Sequence, residues 1–390
     1  MSDEQTSAKL VINNRFQKRN DTYEDILPDD VLTDLVEKVT GQAKYEAEFV
    51  DEVNVGRLVV VEYAGVKTFV SLSDDQPAGR NSYFQSFPSA LIRYHIDDAQ
   101  NKRIAFYFLN KKEGTAGIDT AYHHMMYRLM ATVGTEFLNG KQFLSEIPTP
   151  FESVESFIYT RSTVLKSKQN NSTYVTIDDS GNVNIYAKTY GANKKESTLI
   201  VLALNLISSA PVVLYMFNEG SLKELPALDL TVIEAAGVSV TTTNQALELE
   251  EYQRSNSLRS PHYISNLLAR IGSKTCALCD CDIPQLIEGA HIFPVASIKR
   301  LSGVTDEEKL SMATDGSNGL WLCNNHHKLL DSGFIRFNAQ GRVSIVDGKL
   351  SVGSIEFVQA SITKPELSES VLSEDFINYL ARRNSEQQAL

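Results

Sequence analysis

SNGLWLCNNHHKLLDSG, residues 317–333, sets a short apolar run, a cysteine and two adjacent histidines in a row. A helix that starts near Cys323 carries His326 on the cysteine's face, three residues on, and turns His327 away by about 100°. Asp331, four residues after His327, shares that second face. One histidine can therefore close a site with Cys323, while the other, with Asp331, can hold a second, catalytic divalent cation.

Working outward, all four cysteines fall between 276 and 323, and three of the seven histidines, His291, His326 and His327, lie within or just beyond that stretch. Cys276-Ala-Leu-Cys279 and Cys323-Asn-Asn-His326 supply ligands in the two-plus-two arrangement that tetrahedral Zn²⁺ takes, so a structural Cys₃His zinc site is expected. Buried free thiols are the alternative, and they do not account for two pairs at knuckle spacing. Cys281 is a spare that competes with Cys279 as a ligand. Upstream, His291 in EGAHIFP (288–294) sits in an extended, apolar context beside Pro294, from which it can project toward the same cleft.

GAHIFP (289–294), SNGLWLC (317–323) and HHKLLDSG (326–333) together resemble the HNH, or ββα-metal, nucleases, in particular the branch found in restriction and phage-defence proteins. The resemblance spans about residues 268–345. It implies His291 as the general base that activates water, Asn318 as the middle residue that ties the loop between two strands, and His327 as a catalytic metal ligand. Asp331 takes the position where some members carry a further His, and Cys276, Cys279, Cys323 and His326 match the zinc knuckle of many members, with His326 in place of a Cys. The sequence departs from the pattern at Ala290, where many members have a metal-ligating Asp or His. Glu288, three residues before His291, is the candidate for the missing carboxylate, directly or through water; its other reading is a surface carboxylate.

Phosphodiester hydrolysis needs a nucleophile made from water, charge compensation at the phosphoryl oxygens and stabilisation of the departing 3′ oxygen. A neutral His is a suitable base near pH 7. Mg²⁺ needs only one or two protein ligands, and Mn²⁺ suits imidazole better, so His327 with Asp331 is a sufficient set. Lys299, Arg300 and Lys328 are candidates for contacts to flanking phosphates, with solvated surface charge as the alternative. A zinc-stabilised DNA-binding module would need the knuckle but has no use for His291, Asn318, His327 and Asp331 in register.

The remaining sequence sets the frame. At 390 residues and 42% hydrophobic, the chain has enough material for roughly two to three domains. No basic, apolar leader precedes MSDEQTSAKL, and four cysteines are too few for a disulfide scaffold, so a reducing cytoplasm is expected. Asn205, Ser208, Ser209 and Pro211 interrupt the uncharged run 197–217, which predicts a buried helix, a turn and a strand, not a membrane span. The net charge of −12 argues against a broad nucleic-acid-coating surface. Residues 251–345 carry ten Lys and Arg against nine Asp and Glu, and 346–390 four against seven, which leaves −10 for residues 1–250. DNA contact must then be focused on a few basic groups.

The N-terminal part predicts a helix over 29–42 with Asp29 or Asp30 as cap and Gly41 as stop, and strands near 45–54, 57–63 and 66–72. ALIRYHID (90–97) and RIAFYFLN (103–110) predict a hairpin, and 120–138 predicts a helix whose His123 and His124 form no metal site. A second hairpin, 174–179 with 182–190, leads into an apolar helix and carries Asp178, Asp179 and Lys188; its echo of an acid-and-lysine nuclease core fails at Tyr186, where a carboxylate is needed. SIEFVQAS (354–361) is strand-like, and 375–383 predicts a last helix.

The expected fold class is α+β. Residues 1–245 would form a DNA-recognition or regulatory domain with a mostly antiparallel sheet, 246–270 a linker helix, 271–345 the zinc-stapled ββα-metal domain and 346–390 a C-terminal extension. A type II restriction endonuclease acting on double-stranded DNA is the first reading, with a homodimer favoured by cleavage of both strands and no membrane partner. Its base readers would be loops such as 76–87 and 166–172. The second reading is a phage-defence nuclease gated by a ligand or partner that the N-terminal region senses.

Overall fold

The computed structural model describes residues 7–13, 27–50, 57–73, 86–109, 120–164, 173–178, 180–188, 193–218, 225–256, 258, 260–346 and 350–388. Asp179 and nearly all of the proposed base-reading loops, 76–87 and 166–172, lie outside the described residues. The chain packs as two units. The first takes Met1–Leu165, Lys188–Leu214 and Ser221–Val240; the second takes Lys166–Ala187, Tyr215–Gly220 and Thr241–Leu390.

In the first unit, β1 (Ala8–Asn13), β2 (Tyr45–Val50), β3 (Leu58–Tyr63), β4 (Val66–Leu72), β5 (Lys102–Tyr107) and β6 (Glu136–Phe137) form one sheet in the order β2-β1-β3-β4-β5-β6. The β3–β4 hairpin turns through Ala64 and Gly65, both at positive φ, which is the two-residue geometry matched to strand twist. The sheet is mixed and not mostly antiparallel as expected, because β1–β2, β4–β5 and β5–β6 run parallel. Parallel neighbours need a crossover, and helices supply it: α1 (Asp29–Thr40), α2 (Phe87–Ile96) and α3 (Ala121–Thr132).

That requirement overrides the strand-like pattern of ALIRYHID, which is the body of α2. Pro88 lies in its first turn, and Phe87, Ala90, Leu91 and Ile92 are buried. Leu32, Leu35 and Val36 of α1 pack on Leu10, Ile12, Val59, Val61 and Val70, while Leu58 and Phe69 face Ala90 on the other side of the sheet. The period of two along β3 therefore serves both layers. Helix α1 stops at Gly41, left-handed at φ 77°, as expected; its aspartates stand in the first turn, facing the positive end of the helix, and Pro28 holds the cap position. Helix α3 is shorter than predicted. It ends at Thr132 because Gly134, at φ 84°, turns the chain back onto the Ala131 carbonyl. His123 is buried against Thr120 Oγ1 at 2.8 Å, and neither it nor His124 joins a potential metal cluster among the described residues.

The uncharged run folds as α4 (Asn193–Ile207), a turn and a strand, β9 (Val212–Phe217), and α5 (Ala227–Ala235) and β10 (Ser239–Thr243) follow; no described helix is long and apolar enough to cross a membrane. In the second unit, β7 (Thr173–Ile177) and β8 (Val183–Ala187) pair as predicted. Asp178 spends its carboxylate on the backbone N–H groups of Ser180 and Asn182, and Tyr186 is buried with its ring stacked on Tyr215.

The rest of the second unit is built on β11 (Ile287–His291) paired antiparallel with β12 (Gly319–Cys323) and followed by α10 (Asn324–Asp331). Around it lie α6 (Gln245–Ser255), α7 (Pro261–Ile271), α8 (Val295–Arg300), α9 (Asp306–Thr314), α11 (Val352–Ser361) and α12 (Glu374–Gln388). The strand expected at 354–361 is helix α11, started by Ser351 capping the Ser354 N–H. Tyr252 of α6 joins Phe293, Ile298, Leu310 and Ala313 in one core. Helix α7 lies so close to the turn before β12 that a Cβ on Gly316 would fall 2.6 Å from the Asn266 carbonyl oxygen. Gly316→Ala is therefore expected to cost about 1–3 kcal/mol, read as a lowered urea midpoint at unchanged m-value.

Candidate active site

One metal-capable tetrad and one histidine-lined cavity sit around the β11–β12 hairpin. At one end the loop carrying Cys276 and Cys279 is pinned by the Ala277 N–H to the Trp321 carbonyl at 2.9 Å, and Cys323 ends β12 one residue before α10 begins. His326, buried in the first turn of α10, brings Nδ1 to 3.3 Å from Cys276 Sγ and 3.2 Å from Cys323 Sγ; Cys279 Sγ is 3.9 Å from Cys323 Sγ. All four ligand atoms lie within 4.8 Å of one another. Zn–S bonds of about 2.3 Å in a tetrahedron put sulfurs about 3.8 Å apart, so the donor set fits zinc.

The far nitrogen of His326 lies 3.2 Å from Ser361 Oγ on α11, which leaves Nδ1 toward the sulfurs and gives the ligand an outer partner. Burial pushes the Cys279 and Cys323 thiols up. Burial acts on Cys276 in the same direction, but the His326 ring and nearby backbone groups outweigh it and bring that thiol down to about 6, toward the thiolate a metal needs. Cys281 stands outside the tetrad, and its carbonyl accepts the Cys276 N–H at 2.9 Å.

At the other end, Asn318 is fully buried immediately before β12. Its Oδ1 accepts the Phe293 N–H at 2.7 Å, and its Nδ2 donates to the Phe293 carbonyl at 3.0 Å and the Met312 carbonyl at 3.1 Å. One amide thus fastens both ends of the long excursion between the strands. His291, the last residue of β11, faces Gly319 in the register. Its Nε2 lies 2.9 Å from the Ala313 carbonyl, which can only accept, so Nε2 carries the proton and Nδ1 keeps its lone pair. Burial, offset only in part by that bond, pushes the His291 pKa down to about 4, so the ring is neutral at pH 7.

His327 Nδ1 is 2.5 Å from Glu288 Oε2, and its Nε2 is 3.3 Å from Asp331 Oδ2 on the next turn of α10. Glu288 thus meets the imidazole on the nitrogen that Asp331 does not use. It shares a strand face with Ala290, two residues on, which is fully buried. His291, His327, Asp331 and Lys299 line one cavity of about 630 Å³, with Tyr263, Gly289 and Pro294. Lys299 Nζ donates to the Asn256 carbonyl, Arg300 donates to Ser297 Oγ at 3.1 Å and pairs with Glu386 at 3.7 Å, and Lys328 is exposed.

Two residues of this site escaped the sequence reading. The buried Arg383 of α12 donates to the Ile292 carbonyl at 2.9 Å and the Leu330 carbonyl at 2.5 Å, and lies 4.0 Å from Asp331. It ties the end of β11 to α10, and nothing in the RR pair at 382–383 distinguishes it from surface charge. Tyr263 stacks on the His291 ring. Its only signal is a position just inside a helix opened by Pro261.

Residues 276–338 match the family model of HNH endonucleases, so this segment is an HNH endonuclease domain, which supports a nuclease with DNA as its substrate. No curated protein matches the chain. The tetrad predicts one zinc per chain by elemental analysis. Cys276→Ser or His326→Ala should lose it and lower the melting temperature by about 5 °C or more, whereas Cys281→Ser should retain it.

Proposed function

We propose that the chain is a site-specific endonuclease of the type II restriction class that cuts double-stranded DNA as a homodimer, with residues 1–245 recognising the target. The observation that carries the catalytic part is the juxtaposition of a neutral His291, its proton held at Nε2 by Ala313, with the His327–Asp331 pair in one cavity.

His291 Nδ1 takes the proton of the attacking water, a contribution of about 10²–10⁴-fold. Asn318 sets the path of the chain immediately after His291 and so fixes where that nitrogen points. His327 Nε2 and Asp331 Oδ2, 3.3 Å apart, would hold a divalent cation between them. Mg²⁺ or Mn²⁺ held there supplies charge compensation at the phosphoryl oxygens and at the departing 3′ oxygen. Glu288 accepts the His327 Nδ1 proton and keeps Nε2 turned to Asp331; it acts in this way through the histidine in place of the carboxylate absent at Ala290. Arg383 keeps β11 and α10 at a fixed separation, and Lys299, Arg300 and Lys328 are the candidates for flanking phosphates.

Plasmid DNA with Mg²⁺ or Mn²⁺ should give discrete fragments with the wild type and none with His291→Ala. A smear would favour an effector nuclease over a restriction enzyme, and DNA binding without cleavage in both proteins would leave a zinc-stabilised binding module. Because His291 loses its base function only when protonated, and its pKa is held near 4, kcat/KM should stay level from neutral pH down to about pH 5 and fall only near pH 4. An acid limb near 6.5 would mean that the ring titrates as an exposed histidine.

A further inference from the structure

The His291 ring is stacked on a residue that precedes the segment matched by the family model. The Tyr263 ring of α7 lies face to face with the His291 imidazole, centroids 3.7 Å apart and planes 15° from parallel. The hairpin is shaped to admit it: a Cβ on Gly319 would fall 2.1 Å from the Tyr263 oxygen, and one on Gly289 would fall 3.0 Å from its ring. Two glycines on the facing strands thus open a slot that the phenol ring fills. The Tyr263 hydroxyl is buried and has no hydrogen-bond partner among the described residues, so it is the ring, not the hydroxyl, that the site uses.

We propose that Tyr263 is a positioning residue for His291. The Ala313 carbonyl selects Nε2 for the proton only while the ring faces it, and a single hydrogen bond lets the imidazole swing out of line, where that selection is lost. A parallel aromatic face removes that remaining freedom, because tilting the ring would open a gap on one side and a clash on the other. The two contacts together leave Nδ1 with one direction, into the cavity shared with His327 and Asp331. The inference rests on the nuclease reading for its consequence in rate, but not for its consequence in ring geometry.

The test uses the full-length, zinc-loaded protein with Tyr263→Phe and Tyr263→Leu, plasmid cleavage kinetics, and ¹⁵N-histidine NMR with His291 assigned by its loss in His291→Ala. Tyr263→Phe keeps the stack and should retain kcat within about twofold and a single Nε2–H tautomer at His291. Tyr263→Leu should lose about 10- to 100-fold in kcat with KM for DNA nearly unchanged, and its His291 signals should become an average of two tautomers, while one zinc per chain reports an intact domain. If the leucine variant does not retain zinc, Tyr263→Met takes its place for the same readouts. Wild-type kcat and a fixed tautomer in Tyr263→Leu would overturn the proposal, as would equal losses in the phenylalanine and leucine variants. If the wild type leaves DNA intact but the His291 signals respond as expected, the ring is held by Tyr263 and it is the nuclease reading that fails.

Discussion

A hairpin of two five-residue strands does not hold its shape alone, and the chemistry of the second unit depends on one. β11 and β12 are closed at opposite ends by different means. At the Ile287–Cys323 end the Cys₃His tetrad clips the preceding loop to the start of α10, and at the His291–Gly319 end the Asn318 amide binds the Phe293 and Met312 backbone. Between these fixtures the strands have little room to slide, and a slip of one residue would turn His291 and Glu288 to the wrong faces. The register is therefore the quantity that the Cys₃His tetrad and the asparagine defend together.

The electrostatics of the cleft follow from the same arrangement. Glu288 and Asp331 flank His327 and set two carboxylates on one imidazole. The buried Arg383, 4.0 Å from Asp331, offsets only part of that charge. In the proposed nuclease a divalent cation at His327 and Asp331 would reverse the sign of this acidic patch, which would tie DNA binding to metal loading in a chain whose net charge is −12.

The parts of the structure that were legible in the sequence are those whose signal is local. The tetrad follows from two i, i+3 pairs, and the separation of His326 from His327 from the helical period. The hairpin at 173–187 and the helix at 29–40 follow from alternation and a glycine stop. What was not legible depends on partners distant along the chain. ALIRYHID alternates like a strand, yet β4 and β5 run parallel and must be joined by a helix. SIEFVQAS has strand composition, but Ser351 starts a helix there, one whose Ser361 reaches His326. Glu288 meeting the far nitrogen of His327, Tyr263 lying on His291 and Arg383 bridging two elements are all products of packing, which no spacing rule encodes.

The second unit takes chain from three separate stretches, Lys166–Ala187, Tyr215–Gly220 and Thr241–Leu390, interleaved with pieces of the first. No single scission can therefore release it whole. A fragment begun at residue 241 would lack the 173–187 hairpin and the stacked pair of Tyr186 and Tyr215, so the second unit as a whole cannot be taken out as one continuous stretch. Recombination faces the same topology: a partner gene could exchange this unit only by replacing the interleaved segments of the first along with it.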